Sequence, residues 1–70
     1  SSAGPAAPAA PAPSAAELRA WGHAAFGLIE NHKFDEADVA LQKILDVRPN
    51  DLFAVQNRAV LRVLVLEGLD

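Results

Sequence analysis

The sequence predicts an all-α protein: an antiparallel helical hairpin plus a third helix, preceded by a disordered Pro/Ala-rich linker. Three observations lead there. Ser14-Ala-Ala-Glu17 is a capping box that opens a run of apolar residues at helical spacing. Pro49 and Gly68 stand where the second and third helical segments should stop. The connections between segments are short, which makes successive helices antiparallel neighbours.

The first stretch, Ser1 to Pro13, contains only Ser, Ala, Gly and Pro. Four of the five prolines lie in it: Pro5, Pro8, Pro11 and Pro13. Proline removes a backbone donor and pushes the preceding residue out of the helical region. With no large apolar side chain to bury, the stretch cannot offset its ordering entropy. The expectation is a semi-rigid extended spacer. Ser14 to Asp70 is then the folded domain, at a size where a single core is marginal without a staple or a partner. The chain reads as an excised or terminal piece of a longer protein.

The first helix is expected over about Ala15 to Glu30, with Leu18, Trp21, Ala25 and Leu28 on one face and Ala24 and Ile29 beside them. Gly22 and Gly27 weaken it intrinsically, and suggest close packing against a neighbour. Asn31-His32-Lys33 forms the turn. Asp35 is expected to cap the second helix, with Glu36 and Asp38 in its first turn, where negative charge suits the helix dipole. Phe34 should staple against Val39. Ala37, Ala40, Leu41, Ile44 and Leu45 share the core face, and the helix should end near Val47 before Pro49. Asn50 or Asp51 caps the third helix, which runs to about Glu67. From Ala59 to Leu66 only Arg62 is polar, so this helix is apolar nearly all round and asks for partners on more than one side. Leu52, Val55, Ala59 and Val63 are the expected inward set. Val60, Leu61, Leu64, Val65 and Leu69 are then left for another surface.

Trp21, Ala25, Ala37, Leu41 and Pro49 have a spacing that resembles the tetratricopeptide repeat. Trp21 matches the large residue of the family's first helix and Ala37 the small residue of its second. Ala25 matches the family's small position. Phe34-Asp35-Glu36-Ala37 looks like its aromatic-acidic-acidic-Ala segment. Leu41 stands where a bulky residue is usual and Pro49 at the closing turn. Asp51 onward resembles the first helix of a following repeat, with Ala59 at its small position. Ala24, Leu28 and Ile44 depart from the family pattern, and the second repeat has no second helix in these 70 residues.

Nothing in the composition points to catalysis. The chain has no Cys, Thr or Tyr, and its serines are Ser1, Ser2 and Ser14, the last better used as a cap. His23 and His32 are nine positions apart, not the four that places two ligands on one helix face, and no third ligand is evident. No cofactor, metal site or enzymatic activity is therefore expected. The net charge of −3 and the scattered Lys and Arg argue against nucleic acid. No segment is apolar and long enough to span a bilayer, and no signal-peptide pattern is present, so a cytoplasmic protein without membrane contact is expected.

Function is expected in binding another protein. The tetratricopeptide resemblance implies a groove lined by first helices of successive repeats: Arg19, Gly22, Phe26 and Ile29, then Phe53, Gln56, Asn57, Val60 and Leu64. Gly22 and Phe26 stand where some family members clamp a carboxylate with Lys and Asn, and only Asn57 agrees, so the implied groove is apolar. Arg58 and Arg62, four apart, share a face that either contacts an acidic partner or is solvated. With Leu61 and Val65, these residues make up the expected partner-binding set. One expectation is a module that grips an apolar peptide or helix, as small chaperone-like proteins of bacterial type III secretion do. The alternative is a docking or oligomerisation domain at the end of a multidomain bacterial assembly such as a synthase, pairing through the third helix as a homodimer or with a cognate domain.

Overall fold

The structure, a computed structural model, describes residues 11–68. Most of the expected linker, from Ser1 to Ala10, lies outside the described residues, as does Leu69. Three helices follow in order: α1, Ala15–Glu30; α2, Phe34–Val47; and α3, Leu52–Leu66. No strand occurs among the described residues, and the class is all-α.

Local chemistry sets the ends. The Ser14 hydroxyl accepts from the Glu17 amide at 3.1 Å, and the Glu17 carboxylate accepts from the Ser14 amide at 2.8 Å. The capping box thus satisfies two donors that the helix would otherwise leave orphaned. At the other end of α1, His32 takes a left-handed φ of 57°. Its amide donates to the Ile29 carbonyl at 3.0 Å and the Lys33 amide to the Leu28 carbonyl at 2.9 Å, a Schellman closure.

That closure corrects the expected start of α2. The helix begins at Phe34 with Lys33 as N-cap, and no side chain caps it. Lys33 closes α1 and opens α2 in the same residue, since its carbonyl accepts from the Ala37 amide at 2.9 Å. Asp35 is therefore already inside the first turn, with Glu36, where it serves the dipole rather than the cap. Phe34 points into the core, stacked on His32 with ring centroids 5.4 Å apart. Val39, its expected staple partner, is 71% exposed. Arg48 is extended ahead of Pro49, and Asp51 caps α3 by accepting from the Ala54 amide at 2.9 Å. Gly68, at φ 71°, closes the far end of α3.

α2 packs against both α1 and α3, and α1 approaches α3 near Gly22 and Phe53. Three alanines, Ala25, Ala37 and Ala54, are fully buried, one on each helix. Small residues at such points let helix backbones approach closely. Phe34, Leu41, Ile44 and Leu61 fill the space around them. Each contributes on the order of 1.5–3 kcal/mol through burial. Trp21 packs against this cluster and is half-buried, with the Lys43 ammonium from α2 lying 4.1 Å from its ring centroid. The glycines of α1 are not required by packing. A Cβ on Gly22 would sit 3.7 Å from Phe53 Cε2, an ordinary contact, and one on Gly27 would meet open space.

The inward face of α3 is the reverse of the one expected. Ala54 and Leu61 are buried, with Phe53, Asn57, Arg58 and Leu64 partly so. Leu52, Val55, Ala59 and Val63 turn outward. Because the helix is apolar on nearly every side, its period carries no preference between the two orientations. Contacts with α2 decide it. Arg58 Nε donates to Asp38 Oδ1 at 2.9 Å, and its guanidinium also bonds the Gln42 side-chain oxygen. Those bonds hold Arg58 toward α2, on the side of α3 that buries Ala54 and Leu61.

Candidate interaction surfaces

The outward face of α3 is an apolar stripe. Leu52 is 67% exposed, Val63 57% and Leu66 86%, with Val55 and Ala59 between them. Successive members are three or four positions apart, so they form one line along the helix. Leu52, Val55, Ala59 and Val63 each stand 34 positions after Leu18, Trp21, Ala25 and Ile29. On α1 that second set is the face turned toward the core, with Leu18 and Ala25 buried and Trp21 and Ile29 packed on the buried cluster. The same pattern is thus covered on α1 and uncovered on α3.

A second feature is a cleft of about 450 Å³ where α1 faces the start of α3. Arg19, Gly22, His23 and Phe26 line one wall, and Arg48, Asp51 and Phe53 the other. Leu18 and Ile44 form part of its lining. A third feature, a cleft of about 410 Å³, lies between the start of α2 and the end of α3, with Phe34, Asp35, Asp38, Arg62 and Val65 around it.

The residues expected to bind a partner do not converge on one place. Phe26 and Phe53 meet at the first cleft. Ile29 and Leu64 are half-buried against the core. Gln56 and Val60 are exposed, and the Asn57 amide donates to the Phe53 carbonyl at 2.8 Å. Arg62 and Val65 border the second cleft. Leu61, expected on the surface, is 2% exposed and belongs to the core. Arg58, expected to face a partner or solvent, is paired with Asp38. Arg58 and Arg62, although four apart, therefore do different things. The outward stripe was missed as a surface because its members read as the inward set. At an offset of 34 residues they map onto the face of α1 that packs on the core.

The outward stripe carries no charge, whereas Arg19, Arg48 and Asp51 border the first cleft and Asp35, Asp38 and Arg62 the second. The Glu17 carboxyl, at the capping box, is held below its usual range through its bond from the Ser14 amide and then the Ser14 hydroxyl. Among the described residues there is no group of three or more His, Asp or Glu able to hold a metal ion, and no helix long and apolar enough to cross a membrane.

No protein-family model, curated protein or solved structure matches this chain.

Proposed function

We propose that this chain is a tetratricopeptide-like protein-interaction module that acts by binding rather than catalysis, and that its binding surface is the outward face of α3. One observation carries the reading. α3 offers to solvent the line of side chains, Leu52, Val55, Ala59 and Val63, whose counterparts on α1 are turned to the core. A face with that pattern is complementary to an apolar helix, because α1 meets the core of the hairpin with the same spacing. Burying such a stripe gives a hydrophobic contribution that solvent exposure forfeits.

The test is a selection of amphipathic helices from a displayed library against the 70-residue chain. Selected helices should lose at least tenfold in affinity to the Val55→Glu/Val63→Glu variant, with the chain still helical by circular dichroism. Binding that survives those changes would contradict the reading. A second reading rests on the cleft of about 450 Å³, where Phe26 and Phe53 offer an apolar groove for an extended peptide. Selected binders lost on Phe26→Ala, and indifferent to the charges on α3, would favour it.

A further inference from the structure

The occupant of the α3 face follows from the order of its residues, given the proposal above that this face is an interaction surface. We propose that it pairs with a second copy of this chain, the two α3 helices lying antiparallel with Ala59 at the two-fold axis. The stripe reads the same in both directions. Four positions on either side of Ala59 stand Val55 and Val63; seven positions on either side stand Leu52 and Leu66. A two-fold interface places one surface against itself, so the patch must be complementary to its own image. Antiparallel helices meet that condition when the sequence is symmetric about the crossing point. Leu52 of one copy then lies beside Leu66 of the other, and Val55 stands level with Val63.

Size agrees with position. Ala59 has the smallest side chain of the stripe and occupies its centre, where two helices must come closest. The bulky leucines occupy the ends. The hairpin already uses small residues in this way, with Ala25 and Ala37 fully buried on antiparallel helices. Charge also favours the antiparallel pairing. From Leu52 to Leu66 there is no acidic residue, and Arg58 is held by Asp38. That leaves Arg62 at the flank of the stripe. Parallel pairing about the same line would bring the two Arg62 side chains level. Antiparallel pairing separates them by six residues of rise, about 9 Å along the axis.

Light scattering and site-specific cross-linking of the 70-residue chain test the proposal. The wild-type molar mass should rise toward twice the monomer value with concentration. Val63→Glu should weaken that association at least tenfold. Ala59→Cys should cross-link to itself on oxidation. Leu52→Cys mixed with Leu66→Cys should join through a short bifunctional thiol reagent. Leu52→Cys alone should not, because antiparallel pairing sets the two copies of that residue about 21 Å apart. Efficient self-linking of Leu52→Cys would overturn the antiparallel register. A wild-type mass that stays monomeric at every concentration would overturn self-pairing. In that case, selected helices that still need Val55 and Val63 would leave the binding-face reading intact, with a foreign helix as occupant. A Val63→Glu chain that dimerises like wild type would overturn both.

Discussion

Arg58 on α3 and Asp38 on α2 form the one ion pair among the described residues, with Nε 2.9 Å from Oδ1. Its value lies in direction more than in energy. Both side chains are partly exposed, and ion pairs of that kind contribute about 0.2–1 kcal/mol. The Arg58 guanidinium, also bonded to Gln42, lies toward the face of α3 that buries Ala54 and Leu61 and so accords with the rotation that their packing sets. A double-mutant cycle with Arg58→Gln and Asp38→Asn should give a coupling of about 0.5–1 kcal/mol that shrinks as salt is added. A coupling of zero at low salt would mean that the pair does not form in solution.

Leu61 and Val63 are two positions apart and face opposite ways. Leu61→Ala removes a core side chain and should cost about 2–5 kcal/mol in chemical denaturation. Val63→Ala should change the stability of dilute protein by less than about 0.5 kcal/mol, as surface substitutions usually do. The reverse order would place α3 in the opposite rotation, with Val63 inward and Leu61 outward.

Gly27 sits inside α1 with open space where a Cβ would go. Gly27→Ala should raise stability by about 0.5–1 kcal/mol, the helix-propensity difference, and raise the thermal midpoint with it. A destabilised variant would show that a contact forms at that position which the isolated chain does not contain.

The α1 capping box should respond to pH. The Glu17 carboxyl is held below the ordinary value of 4.5 by its bond from the Ser14 amide. A depressed folded pKa contributes stability above the ordinary value and loses it as pH falls through the folded one. Glu17 is fully exposed, so the effect is local. Fraying at Ser14 to Leu18, followed by amide exchange, should increase as pH falls below 4.5. Glu17→Gln should flatten that dependence. Ser14→Ala should cost about 1 kcal/mol throughout.

Helix limits were the most legible part of the sequence, because local chemistry sets them. Ser14 and Glu17, Asp51, Pro49 and Gly68 each act within a turn of their own position, and the boundaries follow. Asp35 misled because the chain passes from the Schellman closure at His32 and Lys33 straight into α2, leaving no separate cap residue. The buried hairpin residues Ala25, Ala37, Leu41 and Ile44 were legible because α1 and α2 each have one dominant apolar face. The rotation of α3 was not. The apolar residues of α3 do not mark its outside in the sequence; its rotation is set by the packing of Ala54 and Leu61, with Arg58 paired to a residue twenty positions earlier. The candidate surface inherited that error. Leu61 went from surface to core, and Leu52, Val55, Ala59 and Val63 from core to surface.

The most direct test of the account is a concentration series of amide ¹H–¹⁵N spectra of the 70-residue chain. Self-pairing through the outward face of α3 predicts that the shifts which move with concentration belong to Leu52, Val55, Ala59, Val63 and Leu66 and their neighbours, with the α1 wall of the first cleft, Arg19, Gly22, His23 and Phe26, unchanged. Shifts confined to that cleft, or spectra that do not change from dilute to concentrated protein, would contradict it.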